Sequence, residues 1–292
     1  MKILIIGSTG VLGRNVIPRL MEKQIEVKAL VRTRLQMDYY NHLGIEALEG
    51  DILKADSISM ASEGCQAAMH LATVIPGGTG TLDWSMNDRV RREGTQNLIR
   101  ACRENGLKGY FQQSIIFLYG DNGETIIDES SPLKPQHYIQ SASDMESMVR
   151  ESGLEWRILR GGSFYGPGTG RDEDFLNRAR AGNLKIPGDG NNYISLINVA
   201  DMASAFVTSV TKTKAGSIYN IVDDEPVKSR DLFSYIAAVA NAPLPQREEG
   251  LTLPSYRCSN KSFRDQTGWR PAFATYRSGL AQYLRRASLP EC

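Results

Sequence analysis

Three glycines near the start of the chain constrain its fold more than any other feature. The apolar run Ile3 to Ile6 ends in the turn Gly7-Ser8-Thr9-Gly10-Val11-Leu12-Gly13, and apolar residues then recur at helical spacing up to Leu20. A second apolar run, Ile25 to Val31, follows. The order of strand, glycine-rich turn, helix and strand predicts a βαβ unit with two parallel strands.

The spacing of the three glycines indicates a ligand. The first permits a tight turn, the second lets backbone N–H groups approach a pyrophosphate at the positive end of the helix, and the third lets helix and strand pack closely. A turn that binds nothing is the alternative, but the flanking strand and helix favour dinucleotide binding. The residues predicted to hold the cofactor here are Gly7, Thr9, Gly10, Val11, Leu12 and Gly13.

The alternation of strands and helices continues as far as Arg160 and then breaks into glycine-rich and turn-rich sequence. Pro18 interrupts the first helical stretch and predicts a bend there. The fold class expected is α/β, a Rossmann-type doubly wound parallel sheet with a smaller C-terminal substrate-capping region. We expect residues 1–162 to form the dinucleotide-binding domain, with 193–222 returning to it, and 163–192 and 223–292 to form the small region.

The net charge and the lengths of the apolar segments argue against nucleic acid and membranes as binding partners. Lys plus Arg is 34 and Asp plus Glu is 33, so the net charge of +1 offers no global attraction to nucleic acid or an anionic membrane. The opening apolar run is too short for a signal peptide, and no segment approaches the ~18 apolar residues of a membrane span. A cytoplasmic protein is therefore expected. The cysteines lack paired spacing, so reduced thiols and no metal site are predicted for Cys65, Cys102, Cys258 and Cys292.

Further motifs lie along nearly the whole chain: Gly50-Asp51-Ile52, His70-Leu71-Ala72, Gly94-Thr95-Gln96-Asn97-Leu98, Tyr165-Gly166-Pro167-Gly168 and Gly268-Trp269-Arg270-Pro271. With the glycine turn, they make the chain resemble the extended short-chain dehydrogenase/reductases, the NAD-dependent epimerase/dehydratase family. The resemblance implies that Asp51 and Ile52 lie by the adenine. It also implies that Leu71 and Ala72 line the groove beside the ribose and pyrophosphate.

The end of the second predicted strand bears on which dinucleotide is bound. Enzymes that prefer NAD usually carry an acidic residue there for the ribose 2′-OH, whereas this chain has Arg32 and Arg34. A guanidinium suits a 2′-phosphate, so NADP(H) is favoured and NAD(H) stays open. Solvated loop charges are the alternative explanation.

The proton relay that the resemblance implies is mostly missing. The family uses an Asn, a Ser or Thr, a Tyr and a Lys. In this chain Tyr138 matches the family tyrosine, whereas Ala142 occupies the lysine position and Ile115 the position of the hydroxyl residue. The preceding residue, Ser114, is predicted to contact the cofactor. Arg91 stands where the asparagine is expected. Three of four partners therefore depart from the usual pattern.

Tyr138 is consequently expected to act as a weak hydrogen-bond donor rather than as a base, because Ala142 offers no ammonium to stabilise a phenolate. Arg91 is a candidate substrate-binding residue that could partly replace the missing cation, although a side chain that reaches solvent is the favoured interpretation. His70 is expected to pack within its strand rather than act as a general base.

These observations predict an NAD(P)-dependent oxidoreductase of atypical mechanism. Its substrate is expected to be a small organic molecule, quinone-like or aromatic polyketide-like, because such acceptors take hydride without a strong acid. Apolar residues predicted to contact it are Ile115, Ile116, Phe164 and Tyr165, with strand core as the alternative. A nucleotide-sugar epimerase or dehydratase with relocated acid and base, and a non-catalytic dinucleotide sensor or scaffold, stay open. So does a homodimer.

Overall fold

The computed structural model describes residues 1–76 and 82–287, and the chain divides into two compact units. The first comprises Met1–Leu118, Pro135–Arg160 and Ala203–Tyr219. The second comprises Tyr119–Lys134, Gly161–Met202 and Asn220–Cys292.

The element bounds follow the alternation expected from the sequence. The strands are β1 (Lys2–Ile6), β2 (Glu26–Val31), β3 (Glu46–Glu49), β4 (Ala67–His70), β5 (Gly109–Ile115), β6 (Ile126–Ile127), β7 (Glu155–Gly161), β8 (Ser163–Tyr165), β9 (Lys185–Pro187), β10 (Tyr193–Ile194), β11 (Leu196–Asn198), β12 (Ser217–Ile221), β13 (Val227–Lys228), β14 (Gln246–Glu248) and β15 (Arg257–Cys258). The helices are α1 (Val11–Glu22), α2 (Arg34–His42), α3 (Ala55–Ser62), α4 (Ser85–Arg89), α5 (Thr95–Glu104), α6 (Gln140–Arg150), α7 (Arg171–Arg180), α8 (Val199–Lys212), α9 (Ser229–Val239), α10 (Lys261–Thr267) and α11 (Tyr276–Ala287).

A seven-stranded parallel sheet organises the first unit, in the order β12-β7-β5-β4-β1-β2-β3. β1 pairs in parallel with β2 on one side and with β4 on the other. The chain therefore builds the sheet outward from β1 in both directions, which confirms the doubly wound prediction. In such sheets ligands bind outside the carboxyl ends of the strands, where the winding reverses.

The strands at the centre of this sheet are buried on both faces, as expected for a parallel sheet. Ile3, Leu4 and Ile5 have no exposed surface. The helix α1 continues through the exposed Pro18 to Glu22, as the helical spacing of the residues beyond the proline predicts.

The helix predicted over Asp88 to Asn105 consists of three segments. A π-helical turn, Val90–Gly94, joins α4 to α5. A Cβ at Gly94 would lie 3.0 Å from the Ile52 side chain, so the backbone packs closely at this turn. π-turns of this kind often occur at functional sites.

The second unit has small two-stranded sheets, in which β11 pairs with β8, β10 with β13, β14 with β9 and β15 with β6. The single strand predicted from Tyr193 to Val199 is divided into β10 and β11 at Ser195. The Ser195 hydroxyl donates to the Tyr256 carbonyl at 2.9 Å and accepts from the Cys258 N–H at 3.0 Å. These bonds to a third segment explain why the strand is interrupted there.

Three of the cysteines are free and buried thiols, namely Cys65, Cys102 and Cys258. Burial raises the pKa of Cys65, and it raises the pKa of Cys102 to about 12. Both are therefore weak nucleophiles. The prediction for Cys292 concerns a position outside the described residues. Over residues 1–76 and 82–287, no helix combines the length and apolar character needed to cross a membrane.

Candidate active site

The loop between β1 and α1 is shaped by close backbone approaches. A Cβ at Gly7 would lie 2.6 Å from the backbone nitrogen of Ala72, and a Cβ at Gly13 would lie 2.3 Å from the Gly7 carbonyl oxygen. Gly7 also has a φ of +85°, which favours glycine. A Cβ at Gly10 would meet only the Gly7 carbonyl oxygen among the described residues, at 3.3 Å, so the outer side of the loop is open.

The N-terminus of α1 is built to receive an anion. Gly10 is its N-cap and supplies no side-chain hydrogen bond, and the first turn contains no acidic residue. The first N–H groups of a helix have no partner within the helix, and the helix dipole adds positive charge there. An open helix N-terminus of this kind suits a phosphate group, and contact of a dinucleotide with Gly7, Thr9, Gly10, Val11, Leu12 and Gly13 stays a prediction.

Two hydrogen bonds anchor this loop to its surroundings. The Ser8 hydroxyl donates to the Leu30 carbonyl at 2.8 Å, and the Tyr40 hydroxyl donates to the Ser8 carbonyl at 2.8 Å. Because Leu30 lies on β2 and Tyr40 on α2, both elements after α1 hold the loop in place. The sequence motif alone did not indicate these contacts.

The residues expected near the adenine and ribose lie at the ends of β3 and β4. One Asp51 carboxylate oxygen accepts the Leu53 N–H at 3.0 Å, and the Ile52 carbonyl accepts from Asn97 at 3.0 Å. Leu71 is buried and donates its N–H to the Ile6 carbonyl at 2.9 Å. Ala72 stays partly exposed beside the glycine turn.

The two arginines after β2 have different environments. Arg34 lies in an ion pair with Asp38 at 3.1 Å. The Arg32 side chain is exposed, and within the described part of the chain its guanidinium has no hydrogen bond or ion pair. Thr33 between them caps α2. Arg32 is therefore the arginine whose charge is available to a ligand.

The predicted relay positions lie where β5 ends and α6 begins. Ile115 is half-buried at the end of β5, and Ile116 is fully buried, so Ile116 belongs to the core. Ala142 is also fully buried. Tyr138 is 46% exposed, and its ring centroid lies 5.7 Å from that of Trp84. An aromatic pair, rather than a tyrosine and a lysine, thus occupies this place.

Ser114, Glu146 and Arg160 form a buried group that we call the paired cluster. Arg160 donates to both carboxylate oxygens of Glu146, at 2.9 and 2.6 Å, and the Ser114 hydroxyl donates to Glu146 at 2.6 Å. The Arg160 and Glu146 side chains are 2% and 0% exposed. The Ser114 hydroxyl thus donates to Glu146 in the protein interior, whereas the sequence predicts a contact of Ser114 with the cofactor.

The sequence favours an Arg91 side chain that reaches solvent, and the structure shows that this prediction is wrong. Its residue surface is only 4% exposed, and its guanidinium donates to the Ser141 hydroxyl at 3.3 Å. Burial lowers the pKa of Arg91 to about 10, so it stays cationic at neutral pH. The π-turn carries it inward, a placement that helical periodicity could not decide.

Residues 3–222 match the family described as "NAD dependent epimerase/dehydratase family". The chain belongs to this family. The 3-diazoavenalumate denitrifying reductase of a Streptomyces species is 27% identical, with 97% of this chain and 100% of that protein covered. The GDP-6-deoxy-D-mannose reductase of Pseudomonas aeruginosa is 26% identical, with 76% of this chain and 80% of that protein covered.

A solved structure shows the same fold. The UDP-glucose 4-epimerase of Thermus thermophilus, crystallised with NAD, has a TM-score of 0.81 and 21% identity, and the match covers 99% of this chain and 100% of that one. Family membership and the reductase relatives support an NAD(P)-dependent oxidoreductase or epimerase.

The remaining substrate predictions concern the second unit of this family member. Phe164 is partly exposed. Tyr165 is 3% exposed, and a Cβ at Gly279 would lie 2.3 Å from its ring, so Tyr165 is packed against α11. Burial raises its pKa above the ordinary range. Tyr165 is therefore a core residue of this unit rather than part of an open binding surface.

Proposed function

We propose that the protein is a reductase that delivers hydride from NAD(P)H to an electron-poor aromatic or conjugated acceptor, without a proton relay in the protein. The observation that carries this proposal is the replacement of two partners of the relay, the lysine and the hydroxyl residue, by side chains that cannot titrate. Ala142 is fully buried and Ile115 is apolar, so neither can move a proton. An acceptor that needs no proton from the enzyme matches this arrangement.

An aryl diazonium is such an acceptor, and the name of the Streptomyces relative describes reduction of a diazo compound with loss of nitrogen. A bound reduced nicotinamide supplies the hydride. The new N–H bond forms at the terminal nitrogen, and one N–N π pair moves to the inner nitrogen. The N–H bond then breaks and its electron pair forms the third N–N bond. The C–N bond breaks with its electron pair on the ring carbon, dinitrogen leaves, and that carbon takes up the released proton. Cation plus hydride gives a neutral arene and dinitrogen, so no external proton is consumed.

The chain's own residues would bind and orient the reactants. Gly7 and Gly13 allow close packing of the loop backbone, and Gly10 leaves the outer side of the loop open for a pyrophosphate. The partly exposed pair of Trp84 and Tyr138 offers an aromatic surface for a planar acceptor. The Tyr138 hydroxyl can donate a hydrogen bond to a substrate oxygen.

The test measures NADPH oxidation with a stable aryl diazonium salt, a simple quinone, or neither. With NADPH deuterated at the nicotinamide C4, cofactor oxidation should slow through a primary isotope effect, and arene and dinitrogen should form in amounts equal to the NADPH consumed. The Gly10→Val variant is the control, because its side chain should block the pyrophosphate while a Cβ there meets only one carbonyl oxygen of the described chain. It should fold, lose NADPH binding in a calorimetric titration, and show only the protein-free rate.

The GDP-6-deoxy-D-mannose reductase relative favours a second candidate, a nucleotide-sugar oxidoreductase. Oxidation of GDP-6-deoxy-D-mannose with NADP⁺, in the absence of any diazonium or quinone reduction, would establish that candidate instead. Binding of NADPH with no turnover of any of the three would favour a dinucleotide sensor.

We also propose that the cofactor is NADP(H), because Arg32 is exposed and, among the described residues, unpaired, while Arg34 is held by Asp38. Arg32→Asp should weaken NADPH binding about 10–100-fold and NADH binding little, since a charge-assisted hydrogen bond contributes about 1.5–3 kcal/mol. Arg34→Asp is the matched control and should have the smaller effect. A wild-type protein that binds NADH more tightly than NADPH would contradict the proposal.

A further inference from the structure

Arg91 is a buried cation with too few partners in the part of the chain that the structure describes. A guanidinium has five N–H donors, and burying one is costly unless these donors and the charge are satisfied. Within residues 1–76 and 82–287, the hydrogen bond of Arg91 to the Ser141 hydroxyl is long, at 3.3 Å, and no carboxylate oxygen lies within 4.0 Å of the guanidinium. The neighbouring Arg92, by contrast, is half-exposed and lies 2.7 Å from Asp144.

The carboxylate that acts most on Arg91 is Asp88, three residues earlier. Its charge favours the cation, but Asp88 lies instead 3.6 Å from Arg92, and its other oxygen is buried without a hydrogen-bond partner among the described residues. Arg91 is therefore left without a direct counterion in the described structure. Some other anion would complete its environment.

His70 and Asn87 are also buried and incompletely bonded. His70 is 1% exposed and Asn87 has no exposed surface. Neither ring nitrogen of His70 has a hydrogen bond of good geometry within the described residues, although the Val90 backbone lies near enough to favour the protonated imidazole. The Asn87 amide nitrogen has no hydrogen-bond partner among the same residues. The Asn87 oxygen accepts the Val74 N–H at 2.9 Å, which leaves the NH₂ group as the free end of that side chain within the same residues.

These three side chains belong to one place in the first unit. Asn87 and Arg91 are four residues apart along α4 and the π-turn, so they lie on one helical face. His70, at the end of β4, feels the charge of Arg91. We call His70, Asn87 and Arg91 the donor-rich cluster, because its unpaired atoms in the described structure are mostly N–H groups.

We propose that the donor-rich cluster binds the carboxylate of the substrate, so that the acceptor is an aromatic acid. This inference rests on the proposed reductase function and names its substrate class. A carboxylate supplies acceptors only, and it matches the planar fork of a guanidinium through two hydrogen bonds. Arg91 is then a specificity-determining residue of the site.

The neighbouring surface fits the rest of such a molecule. Trp84 precedes Asn87 by three residues and Tyr138 precedes Ser141 by three, so the aromatic pair lies about one helical turn from the cluster. Val74 and Ile75, which follow β4, are 38% and 67% exposed. An aromatic ring can therefore lie against apolar surface while its acid group reaches Arg91.

The test is direct binding, measured by calorimetry on the NADP⁺-loaded full-length protein with cinnamate and with methyl cinnamate as probes. The wild type should bind cinnamate more tightly than the ester. Arg91→Gln should weaken cinnamate binding about 10–100-fold and leave ester binding unchanged, as expected for loss of a charge-assisted pair. Arg91→Lys, which keeps the charge but loses the fork, should be intermediate. Arg92→Gln is the matched control and should bind cinnamate like the wild type.

Unchanged NADP⁺ affinity in each variant shows that it is folded. Equal binding of acid and ester by the wild type, or a preference for the acid that survives Arg91→Gln, would overturn the inference. Binding of inorganic pyrophosphate that is lost in Arg91→Gln, together with no binding of cinnamate, would overturn it in favour of a phosphate-bearing substrate. Cinnamate binding without reduction of any diazonium or quinone would refute the proposed function and leave the carboxylate site standing.

Discussion

Two arginines in the first unit are almost equally buried, yet their surroundings are opposite. Arg160 donates two hydrogen bonds to Glu146, which also accepts from Ser114. Arg91 has one long bond to a serine and no carboxylate within ion-pair distance in the described structure. The paired cluster is complete within the protein, whereas the donor-rich cluster is not.

The difference between the two clusters distinguishes a buried charge that stabilises the fold from one that is kept for a ligand. A complete buried network joins β5, α6 and β7 and needs nothing from outside. An incomplete one keeps donors desolvated and preorganised for a ligand, at the expense of stability. If this distinction is correct, removing a charge should have opposite effects on stability in the two clusters.

The largest effect is expected for Glu146→Ala. It leaves the Arg160 cation buried and without its carboxylate, which should lower the free energy of unfolding by about 3–5 kcal/mol in urea denaturation. The control is Glu93→Ala, which removes an exposed bidentate partner of Arg89 and should have no measurable effect. Equal destabilisation by the two substitutions would show that the paired cluster has no special role.

The next effect concerns pH and His70. Burial lowers its pKa in the folded protein to about 4 from 6.5, although the Val90 backbone acts in the opposite direction. Between these two pH values His70 binds a proton in the unfolded chain but not in the folded one. The contribution of neutral His70 to the free energy of unfolding is therefore fully present above about pH 6.5 and is lost as the pH falls toward about 4.

Substitution of His70 by glutamine should remove that pH dependence. Between about pH 7.5 and about pH 5, the decrease in the free energy of unfolding should be about 2 kcal/mol smaller in His70→Gln than in the wild type. The measurement is urea denaturation at both pH values. Parallel pH profiles for the two proteins would mean that His70 is protonated inside the folded protein.

A smaller effect is expected for Tyr138→Phe, at the edge of the donor-rich cluster. Loss of one neutral hydrogen bond, of about 0.5–1.5 kcal/mol, should slow hydride transfer by about tenfold in single-turnover kinetics. A loss of about a thousandfold would instead indicate a true proton relay and contradict the relay-free mechanism.

Ala142→Lys should not create ordinary alcohol dehydrogenase activity, because Ile115 cannot hold the substrate oxygen.

The smallest expected effect is a gain. Arg91→Met replaces an incompletely paired buried cation by an apolar side chain and should raise the free energy of unfolding by about 1 kcal/mol, despite the lost bond to Ser141. The urea midpoint without added ligand measures it. A destabilisation as large as that of Glu146→Ala would show that Arg91, too, is a structural ion.

The large sheet could be predicted from sequence because its signals are local. Apolar runs such as Ile3 to Ile6, the glycine turn and helical periodicity each lie within about ten residues, and parallel α/β topology follows from their alternation. The position of the glycine turn between β1 and α1 was predictable for the same reason. Its anchoring by Tyr40, from 32 positions away, was not.

Burial of charge could not be predicted, because it depends on which segments meet. Glu146 and Arg160 are 14 positions apart on different elements, and neither the sequence around α6 nor the sequence around β7 indicates their ion pair. The same holds for Arg91, since a helix with polar residues on several sides does not reveal which side faces the core. The π-turn at Val90–Gly94 adds a rotation that a regular helical repeat does not contain.

The glycine loop has a further consequence for how such a protein can evolve. At Gly7 and Gly13 a backbone atom lies within 2.6 Å of any added Cβ, so substitution of either glycine would disturb the packing of the loop. Arg32, on the exposed segment after β2, has no side-chain bond to the described residues that would resist a change. If Arg32 selects NADP(H) as proposed, a point mutation at Arg32 would change the coenzyme preference while Gly7 and Gly13 keep the shape of the loop between β1 and α1.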